Sequence, residues 1–293
     1  MPSERGAHAL RRRTCLMPEL PELEVVREVL QRRVVGRTIT SVEVLPPGGP
    51  IVARDLTHTG FGATLTGAAI ARVIRRGKFL VFSFTADPPL YVVLNPKFTG
   101  RVQLASPTEK RHAKTHVVFT LSDGSQLRYF DQKTMGQLYL TSDPALVPDY
   151  SAMGPEALAI SLDDFRARLR PFRGEIKGLL TRGEFVAGIG NAYADEILWA
   201  ARLHPYRKRT QLTPEEIDRL YEAMRATLLD AVEKVRSKMR EAIHLEPRDF
   251  MAVHMTTGEP CPRCGTPISL VGANQRITNF CRTCQPGGLI KGM

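Results

Sequence analysis

The chain is expected to be an α+β protein of two domains: an N-terminal antiparallel β-sandwich flanked by helices, then a C-terminal helical domain closed by a cysteine-bearing β-hairpin. Three observations predict this. Residues 38–141 hold short β-branched and aromatic runs broken by Gly, Pro, Asp and Ser, while residues from 161 onward place apolar side chains at helical spacing. Four of the five cysteines fall in the last 33 residues as two C-x-x-C pairs. A length of 293 residues is enough for two modest cores.

Residues 1–16 carry four arginines against one glutamate, with no secretory apolar core, and read as a disordered extension or a mis-assigned start before a true start at Met17. Met17-Pro18-Glu19-Leu20-Pro21-Glu22 then opens an amphipathic helix. Leu23, Val26, Val29 and Leu30 fall on one side, Arg27, Glu28, Arg32 and Arg33 elsewhere, and Gly36 ends it. About eight strands follow, at Thr38–Leu45, Ala69–Ile74, Phe79–Phe84, Leu90–Leu94, Arg101–Leu104, His116–Leu121, Gln126–Phe130 and Gln137–Thr141. That pattern gives a sandwich over residues 17–145 with the first helix packed on it.

Residues 146–156 form a proline-bearing linker and candidate hinge, and 157–256 a helical domain. Ser161 and Asp164 cap a helix at Phe165–Leu169, and Asn191–Ala201 is a second. Thr213-Pro-Glu-Glu216 starts a long helix whose stripe runs through Ile217, Leu220, Met224, Leu228 and Val232. Lys238–Thr257 reads as a mobile loop, and 257–293 as the closing hairpin.

No apolar run approaches the ~18 residues of a membrane span, so the chain is expected to be soluble, with no membrane partner; the clustered cysteines suit a reducing cytosol, and a monomer is expected. The net charge of +11 suggests a polyanionic partner, nucleic acid first. Cys261-x-x-Cys264 and Cys281-x-x-Cys284 form C-x2-C-x16-C-x2-C, the spacing of a tetrahedral Cys₄ zinc site. With all four positions filled by protein, the single Zn²⁺ is structural. Cys15 stands apart and is assigned nothing.

Several stretches can carry chemistry. Pro18, as a first residue, would bear a secondary amine that attacks aldehyde-like carbons, with Glu19 beside it to donate and accept protons. On those six residues alone, ordinary helix capping is the better reading. The glycine-rich turn Gly183–Tyr193 runs into a helix whose first N–H groups, with the Asn191 amide, can hold a phosphate, and it equally suits a tight helix–helix turn. Lys78 follows a tight turn at the start of an apolar strand and can reach a phosphate. Arg276 lies at the hairpin tip, as a phosphate fork or a solvated arginine.

Met17-Pro-Glu-Leu-Pro-Glu22, Gly188-Ile-Gly-Asn-Ala-Tyr-Ala-Asp-Glu196 and Gln275-Arg-Ile-Thr278 between the cysteine pairs resemble the formamidopyrimidine-DNA glycosylase/endonuclease VIII family, over Met17 to about Gln285. The resemblance implies a helix-two-turns-helix domain followed by a zinc ribbon, in a bifunctional DNA glycosylase and abasic-site lyase. It implies double-stranded DNA with damaged bases or abasic sites as partner, associated with the nucleoid. Pro18 becomes the nucleophile once the initiator methionine is removed. Glu19, Lys78 and Glu22 join it in catalysis, and Asn191 and Arg276 grip phosphates with Lys78. The gap left by the flipped nucleotide is filled by Phe98, Lys133 and Met135, where the family has Met and an Arg-x-Phe pair; Asn95 replaces a family histidine. Core packing is the even alternative for Phe98 and Met135. His244–His254 departs from the segment that closes over the purine in 8-oxoguanine-specific members. Oxidised purines are the expected substrate, with oxidised pyrimidines as an alternative and a non-catalytic DNA-binding protein of the same fold as the rival.

Overall fold

In the computed structural model, which describes residues 17–272 and 277–287, the chain turns directly after Met17 into helix α1 (Leu20–Arg33). Glu19 is its N-cap residue, and Glu22 reaches back so that its Oε2 accepts the Glu19 N–H at 2.9 Å, one arm of a reciprocal capping box. Pro21 sits in the first turn, where no N–H is needed, and Arg32 and Arg33 in the last, where cations suit the helix dipole. Leu20, Leu23, Val26, Val29 and Leu30 are buried, so the predicted apolar face is the packed one.

The sandwich follows as β1 (Ile39–Val44), α2 (Gly49–Val52), β2 (Ala53–Asp55), α3 (Phe61–Leu65), β3 (Ala69–Arg76), β4 (Phe79–Thr85), β5 (Leu90–Asn95), β6 (Gly100–Ala105), β7 (Thr115–Leu121), β8 (Gln126–Asp131) and β9 (Gln137–Thr141). One sheet runs β1-β7-β8-β6 and the other β2-β9-β5-β4-β3. The described residues thus give this domain nine strands, one more than expected. It is also not wholly antiparallel, because β2 pairs parallel with β9, Ala53 opposite Leu138. Ala-Arg-Asp has no apolar alternation, so nothing in its sequence marks it as a strand; the backbone of β9 makes it one. Phe82, Leu94, Val102, Phe119, Leu127 and Leu138 fill the space between the sheets.

The C-terminal half comprises α4 (Leu162–Leu169), α5 (Ile176–Leu180), α6 (Asn191–Ala200), α7 (Pro214–Met239), β10 (Ser269–Val271) and β11 (Thr278–Phe280). Ser161 and Thr213 cap α4 and α7 as their sequences predict, accepting the N–H groups of Asp164 and Glu216. Helix α1 packs on β3 on one side and on α7 on the other, and a single apolar core runs from the sandwich through α1 into α6 and α7.

Two connecting stretches are tied down. The linker is held by Gly154 N–H to Gly183 O at 2.8 Å, and by Arg76, which donates to the Met153 and Gly154 carbonyls at 2.9 and 2.7 Å. The expected mobile loop at Lys238–Thr257 is a correction. Lys238 and Met239 belong to α7, and the rest is irregular but packed, with Ile243, Met251 and Val253 buried. The Glu196 carboxylate accepts the N–H groups of Ala252, Val253 and His254 at 2.8–2.9 Å. The charges and proline of this stretch look solvated in sequence because their buried partners lie elsewhere in the chain. Among the described residues no helix is long and apolar enough to cross a membrane.

Candidate active site

Pro18, Glu19, Glu22 and Lys78 come together where α1, the start of β4 and the start of α6 meet. Pro18 lines an open cleft of about 470 Å³, shared with Lys78, Asn95, Lys97, Arg182 and Gly188. Directly behind it, the buried Glu19 carboxylate is set into the N-terminus of α6. Oε2 accepts Gly190 N–H at 2.6 Å and Tyr193 N–H at 3.3 Å, and Oε1 accepts Ala192 N–H at 2.9 Å. The first-turn N–H groups of a helix have no partners within it, and the dipole there favours an anion, so one side chain stabilises α6 and is itself fixed. The glycine-rich turn therefore serves Glu19. A Cβ at Gly190 would lie 2.4 Å from the Glu19 carboxyl carbon, so only glycine admits it.

Glu22 lies beneath Pro18, also buried. Besides the Glu19 N–H it accepts the Tyr193 hydroxyl at 2.7 Å and the Arg248 guanidinium at 3.2 and 3.3 Å. Burial and the neighbouring Glu22 push the Tyr193 phenol well above its usual range, keeping it a neutral donor. Lys78 points at the Ile189 carbonyl, 3.5 Å away. Burial and then Lys97 lower its pKa, while Glu19 opposes them.

Phe98, Lys133 and Met135 form a separate cluster on two adjoining turns, β5–β6 and β8–β9. The Lys133 ammonium lies 5.4 Å from the Phe98 ring centre, within cation–π range. Met135 is 47 % exposed and Phe98 half-buried, so core packing does not account for the methionine. Lys97 and Thr134, each just before an apolar tip residue, have left-handed backbones with φ 47° and 53°. Strained positions persist when the surroundings over-determine them. Here Asp131 does so: its carboxylate takes the Lys133, Met135 and Gly136 N–H groups at 3.0, 2.8 and 2.7 Å and the Thr99 hydroxyl of the other turn. Burial would raise its pKa, but the bonds from Thr99 and these amides outweigh that and hold it below the usual carboxylate range.

Asn191 opens α6, and its side-chain amide donates to the Ile277 carbonyl at 3.0 Å, joining the helix to the hairpin. Lys177 makes the same junction, donating to Ile277 O and Thr278 Oγ1 at 2.9 Å and pairing with Asp195 at 2.6 Å. Arg276 lies outside the described residues.

The sulfurs of Cys261, Cys264, Cys281 and Cys284 lie within 4.8 Å of one another, with Cys261–Cys284 at 3.9 Å and Cys264–Cys281 at 3.4 Å. Zn–S bonds of ~2.3 Å in a tetrahedron place sulfurs about 3.8 Å apart, so the four fit a zinc ion. Trp199 Nε1–H donates to Cys261 Sγ at 3.4 Å, and Arg263 stacks on the indole at 4.1 Å. Gln285 accepts the Cys281 N–H and donates to Leu203 O, both at 2.9 Å, lashing the ribbon to the helices.

Sequence reasoning missed Asp131, Tyr193, Lys177 and Arg248. Tyr193 and Asp131 stand inside stretches already singled out, the only signal available. Arg248 had none.

Residues 17–138 match the formamidopyrimidine-DNA glycosylase N-terminal domain, 152–242 its H2TH domain, and 258–287 a zinc finger found in FPG and IleRS. A formamidopyrimidine-DNA glycosylase of Symbiobacterium thermophilum is 39 % identical over 92 % of this chain and 90 % of its own, and that of Heliobacterium modesticaldum 38 % identical over 92 % and 100 %. A solved structure of MutM with carbocyclic 8-oxo-G-containing DNA has TM-score 0.80 at 33 % identity, covering 92 % of this chain and all of that one. Lactococcus lactis Fpg with abasic-site DNA has TM-score 0.80 at 31 % identity over the same shares. The chain belongs to the formamidopyrimidine-DNA glycosylase family.

Proposed function

We propose that the protein excises oxidised purines from double-stranded DNA and cleaves the resulting abasic strand, with Pro18 as nucleophile in the form whose first residue is Pro18. The observation that carries this is Pro18 at the cleft wall with Glu19 immobilised behind it and Lys78 alongside. The relatives solved with 8-oxo-G, Fapy-dG and abasic-site DNA support the substrate class. The DNA it repairs places its action in the cytoplasm, at the nucleoid.

The Pro18 amine attacks C1′ of the flipped nucleotide, the base leaves with the glycosidic electron pair, and Glu19 donates a proton to the deoxyribose ring oxygen as that ring opens. The resulting iminium acidifies the C2′ proton, whose loss expels the 3′ phosphate; the conjugated iminium so formed acidifies the C4′ proton, whose loss expels the 5′ phosphate. Glu22 holds the Glu19 backbone, and Lys78, Asn191 and Arg276 bind phosphates. Phe98, Lys133 and Met135 stand in the gap, offsetting the few kcal/mol of stacking lost on flipping. One observation favours oxidised pyrimidines as a second substrate: the 244–254 stretch is spent on Glu22 and Glu196 rather than on a lid. The domains act as a sandwich at 17–145, a linker at 146–156, a helical domain at 157–256 and the ribbon at 257–293.

Borohydride trapping tests this with protein expressed from Met17, on duplexes carrying 8-oxoguanine, an oxidised pyrimidine or an abasic site. The expected adduct maps to Pro18 by mass spectrometry, and Pro18→Gly loses excision and trapping by at least a hundredfold while binding changes little. An adduct elsewhere, or equal loss of binding and excision, would overturn the assignment.

A further inference from the structure

Arg248 is a cation from the stretch after α7 that is buried against Met17, Glu22 and Tyr193, behind the residues that line the Pro18 cleft. Its side chain is 6 % exposed and every described contact is to the site or to a residue that braces it. Nε lies 3.2 Å from Glu22 Oε1, and Nη2 lies 3.3 Å from Glu22 Oε2, 2.9 Å from Glu246 Oε1 and 2.6 Å from the Met17 carbonyl oxygen. Nη1 is 3.9 Å from Glu19 Oε1, and the plane stands 5.6 Å from the Tyr193 ring. Glu246 is braced from its other side by Arg101 of β6, so the guanidinium is fixed from both domains. A carbonyl oxygen is ~2.3 Å from the next residue's nitrogen by peptide geometry, which puts Nη2 within about 5 Å of the Pro18 nitrogen.

We infer that Arg248 is the positioning residue of this site: it fixes the Glu22 carboxylate and holds a permanent positive charge beside the Pro18 nitrogen, keeping that amine unprotonated and aimed. The inference rests on Pro18 being the nucleophile. When Met17 is absent the 2.6 Å contact is lost and that donor faces the amine itself. A like charge disfavours the protonated amine, and an arginine stays charged throughout the working range.

Charges reach Pro18 from several elements. Glu19 and Glu22 of α1 favour protonation. Lys78 before β4 and Lys97 of the β5–β6 turn oppose it. Arg182, Glu184 and Asp149 on the cleft wall face open solvent, and the Tyr193 hydroxyl is neutral. Arg248 acts twice, by its own charge and by cancelling Glu22; burial pushes the neighbouring Glu246 carboxyl up to about 7, so that group adds little negative charge once Arg248 is gone. Its removal therefore moves the amine in one direction, towards protonation.

The test compares wild type, Arg248→Lys, Arg248→Met and the charge-relieved Arg248→Met/Glu246→Gln, all expressed from Met17, the span that covers the whole length of the Lactococcus lactis relative. Single-turnover excision is followed from pH 5.5 to 9, with binding to abasic DNA and thermal melting alongside. Expected for both Met forms is at least a tenfold lower rate at pH 7, binding within about threefold, and an acid-limb midpoint about one pH unit higher. Arg248→Lys keeps the midpoint but recovers only part of the rate, because an ammonium cannot bridge both carboxylates. An unmoved midpoint in a folded Met form would overturn the inference while leaving Pro18 trapping intact. Loss of Pro18 trapping in wild type would overturn the nucleophile assignment and this inference together.

Discussion

A handful of side chains decide what this site can do, and Glu19 with Gly190 is the sharpest case. The carboxylate is held by three main-chain N–H groups, and the glycine is the only residue that lets it approach. Gly190→Ala must push Glu19 out or move α6. Losing one or two hydrogen bonds to a charged group costs about 1.5–3 kcal/mol each, and a loss of that size felt in the transition state is roughly a ten- to hundredfold lower rate. Excision and abasic trapping should fall by that factor with DNA binding largely kept, as read by single-turnover kinetics beside gel shifts. Normal trapping in a destabilised Gly190→Ala would show that Glu19 acts without its seat on the helix. The four cysteines were legible in the sequence because residue type and spacing carry their chemistry, whereas Pro18 and Glu19 read first as a helix cap and drew their expected role from the family resemblance. Arg248 and Asp131 were not legible. Their roles come from partners 226 and 32 positions away, such as Glu22 and Thr99, that only the packed chain brings near.

Among the elements, the ribbon is the least able to stand alone. Strands β10 and β11 are three residues each, and a two-stranded hairpin of that size is at best marginal in water. Its order is expected to come from the metal, whose binding supplies folding energy directly. Trp199, the one tryptophan in the chain, donates to Cys261 and carries Arg263 on its face, so it reports on this region alone. A strong chelator should change its fluorescence well below the main melting transition and weaken DNA binding, with the sandwich's far-UV signal kept. An unchanged indole signal after verified metal removal would mean the ribbon is held by its Gln285 and Asn191 contacts instead. Strong periodicity and capping made α1, α4 and α7 legible, while α6, capped by Gly190 with no side-chain bond, was read from its glycine-rich lead-in. Strand β2 and helix α5 were not, because one lacks alternation and the other is five residues with no side-chain cap.

For the whole molecule, one apolar core spans both domains through α1, and ion pairs cross the junction, among them Arg236–Glu28 at 2.7 Å. Stability should therefore report on residues at that junction. His244 is one: burial, and then His112 with its ring 5.1 Å away, lower its pKa. A base with a lowered folded pKa is protonated first in the unfolded chain, so its contribution is present above the unfolded value of ~6.5 and is lost as pH falls below it. The urea midpoint should drop between pH 7.5 and 5.5 by more in wild type than in His244→Phe. Glu196, whose carboxyl is raised chiefly by burial, runs the other way, which makes the difference between the two proteins the meaningful quantity. Equal slopes would remove His244 from the account.

The fit of Glu19 against Gly190 also limits what can be exchanged among relatives. A chimera that joins one member's sandwich to another's helical half inherits the acid from one parent and its seat from the other, with position 248 coming from the second as well. Such a hybrid can be well folded yet inert if the second parent has any side chain at 190. Positions 19, 22, 190 and 248 should therefore be transplanted as a set.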